Sequence, residues 1–267
     1  MPEKVDLYTN AYANYEADVY RRVRIETYGE DLGQTSWVTT EESSEIPRVL
    51  GLTANSYVLE IGCGSGRYAL QVAEKVGCRV LGLDINDPGI HNANQLAATR
   101  NMSAQVSFEH CDVSNQLPLN ENTFDAVFSN DVLCHVPGRL AVLRELFRTL
   151  KPGGRLLFSD ALVVGGMLSH SEIATRSSIG YYILSPPGEN ERLIQQAGFR
   201  VMKVSDTTGG AARIAKRWHE ARERNSIDLI AAEGKTNFEG VQQFLSCVHT
   251  LTAEKRLLRF LYLAQKE

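Results

Sequence analysis

Cysteine is scarce in this sequence, and its few residues follow no recognisable pattern. The chain has 5 cysteines among 267 residues, with no Cys-x-x-Cys pair and no spacing typical of metal ligands. They are Cys63, Cys78, Cys111, Cys134 and Cys247. An odd, scattered set of thiols argues against a disulfide framework and against a thiolate metal centre. We therefore expect reduced thiols, a cytoplasmic protein and no bound metal.

Excess positive charge and long apolar runs are also missing. The 28 Lys and Arg residues are outnumbered by 32 Asp and Glu residues, which argues against binding to a nucleic-acid backbone. No segment approaches the roughly 20 apolar residues of a membrane helix, and residues 1–20 lack the apolar core of a signal peptide. The expected partner is a small molecule, with neither nucleic acid nor membrane. The composition leaves a monomer and a homodimer open.

From residue 57 onward, strand-like and helix-like segments alternate, which predicts an α/β fold with a parallel sheet. The predicted strands are 57–61, 79–84, 105–109, 124–129, 155–160, 199–205 and 259–264, and the predicted helices are 67–76, 88–100, 138–150 and 189–197. Lys151-Pro152-Gly153-Gly154 is expected to end a helix in a turn.

The whole chain, residues 1–267, is interpreted as a single domain. Residues 1–50 are expected to form a helical cap, and residues 51–160 the cofactor-binding core. Two insertions, 161–187 and 207–255, are predicted to complete a helical cover over the carboxyl ends of the strands. Open α/β sheets bind their ligands at that edge.

A glycine-rich loop follows the first predicted strand, in the sequence Glu60-Ile-Gly62-Cys-Gly64-Ser-Gly66. Glycine permits left-handed backbone angles and a close approach of a ligand to the main chain. The N–H groups at the start of the next helix can bind polar or anionic groups. A dinucleotide loop usually reads Gly-x-Gly-x-x-Gly, and this tighter spacing differs from it. The loop predicts a nucleotide-type cofactor.

The loop, together with Asp84 at the end of the second predicted strand, resembles class I S-adenosylmethionine-dependent methyltransferases. The resemblance covers roughly residues 28 to 205. It implies a Rossmann-like sheet of seven strands, mostly parallel, whose antiparallel last strand lies beside the fifth at the sheet edge. It also implies S-adenosylmethionine as cofactor and S-adenosylhomocysteine as product.

The same resemblance implies which residues hold the cofactor. Glu60 and the glycine backbone would surround the methionine part and the ribose, and Asp84 would accept hydrogen bonds from both ribose hydroxyls. Asp112 would accept from the adenine amino group while the Val113 N–H donates to the ring, although Asp112 also suits a simple turn. Asn130 would lie against the methionine end. The further implied cofactor residues are Gly62, Gly64, Gly66, Ile85 and Trp37.

His135 is the candidate catalytic residue. The segment Ser129-Asn130-Asp131-x-x-x-His135 resembles the Ser-Arg-Asp-x-x-x-His of phosphoethanolamine methyltransferases. The chain also resembles the glycine and sarcosine N-methyltransferases, which act on small molecules as well. An amine acceptor must lose a proton, which suits a histidine. The resemblance also implies a tyrosine that pairs with this histidine, and Tyr15 is the nearest match. Tyr12, Tyr20 and Tyr28 stay open, as does a structural role for His135.

Tyr181 and Tyr182 are candidate substrate residues, because aromatic faces attract methylated ammonium groups. Phosphobase methyltransferases place an arginine just before the tyrosine that matches Tyr182. Gly180 occupies that position here, and Arg176 is the nearest substitute.

The predicted function is therefore methyl transfer to a small molecule, with an amine nitrogen as the expected acceptor. An O- or C-methyltransferase, a nicotinamide-dependent oxidoreductase and a non-catalytic cofactor-binding protein are the alternatives.

Overall fold

The computed structural model describes residues 5–31, 33 and 35–267. The strands are β1 (Tyr57–Ile61), β2 (Arg79–Asp84), β3 (Val106–His110), β4 (Phe124–Ser129), β5 (Leu150–Val164), β6 (Phe199–Asp206) and β7 (Leu257–Lys266). They form a seven-stranded sheet in the order β3-β2-β1-β4-β5-β7-β6. The first five strands pair in parallel, and β7 is antiparallel to both of its neighbours. The Rossmann-like, mostly parallel sheet is thus confirmed.

The edge position predicted for the last strand is wrong, because β7 lies between β5 and β6. The side chains explain this order. In β7, buried residues recur along the strand, as a position between two partners requires. In β6, only Phe199 is fully buried, and Arg200 and Lys203 are exposed. Charged side chains of this kind are typical of an edge strand, where they oppose pairing with a further chain.

The Lys-Pro-Gly-Gly segment also differs from its prediction. The preceding helix ends at Thr149, but β5 begins at once, at Leu150. Leu150 pairs with Phe124 and Arg155 pairs with Ala126, so residues 151–154 bulge out opposite a single residue of β4. The proline and the glycine with φ +80° at Gly153 thus form a bulge inside the strand instead of a turn before it.

Helices cover both faces of the sheet and its carboxyl-end edge. They are α1 (Tyr8–Ala13), α2 (Asp18–Tyr28), α3 (Thr40–Leu50), α4 (Arg67–Val76), α5 (Asp87–Thr99), α6 (Arg139–Thr149), α7 (His170–Arg176), α8 (Glu189–Gln196), α9 (Thr208–Arg224), α10 (Ser226–Glu233) and α11 (Lys235–Ala253). A short 3₁₀ turn, Leu133–His135, follows β4. In the described part of the chain, no helix is long and apolar enough to cross a membrane.

The N-terminal helices pack on the second predicted insertion in one apolar cluster. Side chains of α1, α2, α9 and α11 bury one another there, together with the indoles of Trp37 and Trp218. Because this cluster is separate from the two clusters that flank the sheet, the cover has a core of its own. The partition of the domain into cap, core and insertions stays a prediction.

A substitution at Gly66 can test how tightly the glycine loop is packed. Its φ is +76°, and an added Cβ would lie 2.4 Å from Phe108 Cζ and 2.7 Å from the Ala93 Cβ. Gly138 is the matched control, since it also begins a helix, with φ +70°, but has open space around it. We expect Gly138→Ala to cost about 1 kcal/mol of unfolding free energy and Gly66→Ala about 3 kcal/mol, because overpacking adds to backbone strain. Urea denaturation measures both, and equal losses would contradict this packing.

Candidate active site

A cleft of about 510 Å³ opens at the carboxyl ends of β1, β2, β3 and β4. Its walls include eight of the residues predicted from the sequence. These are Gly62, Asp84, Ile85, Asp112, Val113, Asn130, His135 and Tyr181. The predicted donor and acceptor residues therefore meet in one cavity, as expected for strands that run in parallel to the same edge.

Asp84 is held in the part of the cleft where the cofactor is expected to bind, which we call the donor side. The part around His135, where the substrate is expected, is the acceptor side. Its Oδ2 accepts from the Gly64 N–H at 2.8 Å, and its Oδ1 accepts from the Asn86 N–H at 2.8 Å. Burial raises the pKa of the carboxyl group, and the backbone donors oppose that shift. Each carboxylate oxygen has a further lone pair. The group can thus hold the glycine loop and still accept hydrogen bonds from a ligand diol.

Asn130 offers a hydrogen-bond donor to a ligand. Its side-chain amide lines the cleft, and Nδ2 is buried with no hydrogen-bond partner among the described residues. Asp112, by contrast, accepts from the backbone and the hydroxyl of Ser114 and from the amide of Asn115. The Ser114 hydroxyl is the main reason that its pKa is lowered. Asp112 thus stabilises a turn, which was the alternative role considered for it. It also borders the cleft.

Glu60 lies behind the glycine loop and does not line the cleft. It is 1% exposed, and neither carboxylate oxygen makes a hydrogen bond of normal geometry to a described residue. Burial, and then the charge of Asp84, raises its pKa well above the ordinary range. A contact of Glu60 with the cofactor stays a prediction.

Three further predicted cofactor residues have other surroundings. Gly64 and Gly66 serve the loop itself, since an added Cβ would meet Tyr12 at the first and Phe108 at the second. The indole of Trp37 faces the apolar cluster of the cover, with its ring centroid 5.8 Å from that of Trp218. The Trp37 side chain is thus buried in the cover and does not line the cleft, and its contact with the cofactor stays a prediction.

His135 lies on the acceptor side of the cleft in a defined tautomer. Its Nδ1 is 3.1 Å from the carbonyl oxygen of Tyr181, and its Nε2 is 3.1 Å from the hydroxyl of Tyr8. A carbonyl only accepts, so Nδ1 carries the proton and Nε2 accepts from Tyr8. Burial, followed by the charge of Arg176, lowers the pKa of His135 to about 4. The imidazole is therefore neutral at neutral pH.

The predicted pairing of Tyr15 with His135 is wrong, and Tyr8 takes that place. Tyr15 is 3% exposed and packs against the guanidinium groups of Arg24 and Arg67, at 4.5 and 5.2 Å from its ring centroid. It thus supports the loop region near Gly33, away from the histidine. Tyr8 was missed because the N-terminal segment has several tyrosines. A single sequence does not show which of them reaches the cleft.

Two of the three predicted substrate residues do not line the cleft. Arg176 is 3% exposed, and its guanidinium lies 4.5 Å from the ring centroid of Tyr182. The Tyr182 ring in turn lies 4.3 Å from the His135 ring. Tyr181 does line the cleft and is 56% exposed. Arg176 therefore does not line the cleft, and its direct contact with a substrate stays a prediction.

Asp131 and Arg259 form a buried ion pair in the floor of the acceptor side. Arg259 Nε donates to Asp131 Oδ1 at 2.9 Å, and the Trp37 N–H donates to Oδ2 at 2.9 Å. Asp131 has φ +59°, an unusual angle for a residue other than glycine. Arg259 is 0% exposed and also binds Glu42 at 2.8 Å. Sequence reasoning missed Arg259, since it belongs to no motif and precedes the apolar residues of a predicted strand.

Known proteins are similar to the part of the chain that holds the predicted cofactor residues. A methyltransferase domain family matches residues 59–158, the part of the chain that contains the glycine loop, Asp84 and Asn130. The 27-O-demethylrifamycin SV methyltransferase of Amycolatopsis mediterranei is 27% identical over 232 residues, which are 81% of this chain and 85% of that protein. Phosphoethanolamine N-methyltransferase 1 of Triticum aestivum is 30% identical over 222 residues, which are 83% of this chain but 43% of that protein.

The chain is a class I S-adenosylmethionine-dependent methyltransferase.

A solved structure shows the same fold over almost all of the methyltransferase chain. It is phosphoethanolamine N-methyltransferase 2 of Haemonchus contortus in complex with phosphomonomethylethanolamine and S-adenosylhomocysteine. The TM-score is 0.80 at 22% identity, over 97% of this chain and 61% of that one. The residues of the donor side fit the cofactor of the family, since Asp84 can accept from a ribose diol and Asn130 Nδ2 is an unused buried donor. The family match, and not this geometry, argues against the nicotinamide-dependent alternative.

We predict that Asp84→Ala lowers the affinity of the methyltransferase for S-adenosylhomocysteine at least 100-fold. The variant loses two charge-assisted hydrogen bonds to the ribose, each worth about 1.5–3 kcal/mol. Isothermal titration calorimetry measures the loss. Asp206→Ala is the matched control, because Asp206 also ends a strand and accepts from a following N–H but does not line the cleft. Unchanged affinity in Asp84→Ala would overturn the donor-site assignment.

Proposed function

We propose that this methyltransferase methylates the amine nitrogen of a small molecule that binds between Tyr8, His135 and Tyr181. The observation that carries the proposal is the neutral imidazole of His135, which borders the cleft with Nε2 directed at a hydroxyl that an acceptor can replace. S-adenosylmethionine supplies a methyl group that is already activated by its sulfonium. The nitrogen lone pair forms the new C–N bond as the C–S bond breaks, and S-adenosylhomocysteine leaves.

The task of the chain in this reaction is alignment. Holding the acceptor in line with the methyl carbon and the sulfur converts a bimolecular step into an effectively unimolecular one. In the proposed pose, an acceptor N–H donates to His135 Nε2 in place of Tyr8, which turns the nitrogen lone pair toward the donor side. With a pKa of about 4, His135 is a poor store for a proton. The nitrogen therefore reacts best when it arrives unprotonated.

The lining of the cleft supports an acceptor without a phosphate group. Among the described residues that line it, none is an arginine or a lysine. Phosphate recognition normally uses such cations. The wheat relative is named for phosphoethanolamine, whereas this chain has Gly180 in place of the implied arginine and keeps Arg176 outside the cavity. We infer an amine that carries no phosphate.

A hydroxyl acceptor is the second candidate. A hydroxyl arrives uncharged and can donate to the neutral Nε2 of His135. Its proton must leave as the C–O bond forms, and a histidine with a pKa of about 4 takes up that proton poorly, so this candidate ranks second. The relative from Amycolatopsis mediterranei, named as the methyltransferase of 27-O-demethylrifamycin SV, is consistent with such chemistry.

An assay with matched acceptors tests the proposal. Labelled S-adenosylmethionine is offered with pairs of amines and alcohols that share one carbon skeleton, with and without a phosphate group. We expect methyl transfer to phosphate-free amines, and the largest kcat/KM for those of low basicity. The His135→Gln variant should lose at least 10-fold in kcat while its affinity for S-adenosylhomocysteine stays unchanged, because His135 lies on the acceptor side. Transfer only to alcohols would replace the first candidate by the second.

The protonation state of His135 predicts a pH-dependent stability. In the unfolded chain a histidine takes up a proton near pH 6.5, whereas folded His135 resists it until about pH 4. Stability is therefore unaffected by this group above about pH 7 and falls as the pH drops from about 6.5 toward 4. Between pH 7.5 and pH 5, wild type should lose on the order of 1–2 kcal/mol more than His135→Gln. Urea denaturation at both pH values measures this, with exposed His91→Gln as control. An equal loss in wild type and His135→Gln would show that the imidazole is not held neutral.

A further inference from the structure

Arg176 is a buried cation for which the described residues offer no carboxylate. Its side chain is almost fully buried, none of the ion pairs among the described residues includes it, and Nε and one terminal nitrogen lack a hydrogen-bond partner there. Burying a guanidinium without a counterion is costly. Aromatic rings surround it instead, with the centroids of Tyr182, Phe244 and Trp37 at 4.5, 5.0 and 5.9 Å. The other buried arginines of the cover, Arg24 and Arg222, each pair with a carboxylate, so an arginine without one calls for an explanation.

The position of Arg176 relative to His135 supplies one. Both groups lie against the same ring, since the guanidinium carbon is 4.5 Å and the imidazole centroid 4.3 Å from the Tyr182 centroid. The Tyr182 hydroxyl also accepts a hydrogen bond from the guanidinium. Tyr182 therefore links the buried cation to His135, which lies at the cleft.

We propose that Arg176 is a positioning residue that acts through the Tyr182 ring and fixes His135 as a neutral imidazole with Nε2 free to accept. The inference rests on the acceptor-side role of His135 proposed above. A guanidinium only donates hydrogen bonds and keeps its positive charge at every pH that the protein meets. The fixed positive charge opposes a second positive charge on the histidine.

The other groups that face His135 are consistent with this role. Tyr8 from α1 donates its hydroxyl proton to Nε2, and burial raises the pKa of that hydroxyl, so it stays protonated. The carbonyl of Tyr181 holds the proton on Nδ1. Asp131 is the carboxylate whose charge favours a protonated His135, but that charge is already bound to Arg259. Burial is the largest cause of the low pKa of His135, and Arg176 is the nearby charge that lowers it further.

Nuclear magnetic resonance of histidine-labelled full-length protein tests the proposal without any need for turnover. The His135 signals are assigned by their loss in His135→Gln, and the nitrogen shifts report both protonation and tautomer between pH 4.5 and pH 8. We expect wild type to keep Nδ1 protonated and to stay predominantly neutral, with no more than about a quarter of His135 doubly protonated at pH 4.5. In Arg176→Met the titration midpoint should rise by about one pKa unit or more and enter this range. Arg176→Gln serves where the methionine variant does not fold.

Two control variants separate the effect of the cation from that of packing. The first keeps the positive charge at position 176, and the second removes one positive charge elsewhere. Arg176→Lys keeps the charge and should retain the low midpoint. Arg256→Met breaks the 2.7 Å ion pair with Glu172 on α7, and should leave His135 unchanged because the buried cation remains. An unchanged His135 in a folded Arg176→Met protein overturns the proposal, and so does an equal shift in Arg176→Lys or Arg256→Met. If no acceptor is methylated yet the shift follows the charge, the proposed function fails and the role of Arg176 stands.

Discussion

The acceptor side of the cleft depends on the buried ion pair between Asp131 and Arg259. Asp131 follows β4 in a left-handed conformation, which costs free energy for a residue with a side chain. Its carboxylate is held by Arg259 from β7, by Ser159 from β5 and by the backbone N–H of Trp37. Each of these partners comes from a different part of the chain. The strained turn persists because these several contacts together hold it in place.

The ion pair also joins the cover to the sheet. Arg259 reaches Glu42 in the first turn of α3 and the hydroxyl of Thr207 just before α9, at 2.8 Å each. The start of α3 follows the loop that carries Trp37, and α9 packs on α2 in the cover. One arginine on β7 thus ties the floor of the cleft to two elements of its cover. This fully buried arginine belongs to a strand that lies between β5 and β6.

The donor side could be predicted from the sequence because its determinants are local. Glycine at positions 62, 64 and 66 is required by left-handed angles and by contacts with Val132, Tyr12 and Phe108, so the motif and the geometry express one constraint. Five strands were predicted within one residue at each end, because their apolar runs end in polar or glycine residues. The order of β6 and β7 and the partner of His135 could not be predicted. They depend on contacts between residues more than one hundred positions apart, for which one sequence has no local signal.

Arg176 and Arg259 show how differently this fold uses a buried guanidinium. Arg259 pairs with two carboxylates, so its charge is neutralised. Its role is to hold these groups in position. Arg176 meets aromatic rings, which are weaker partners, so its charge remains effective at a distance. The first arginine holds the backbone of the acceptor side, and the second acts on the electrostatics of the same region. Because the donor side needs neither, its loop can be shared by relatives that methylate unlike molecules, whereas the acceptor side depends on distant residues that each chain supplies in its own way.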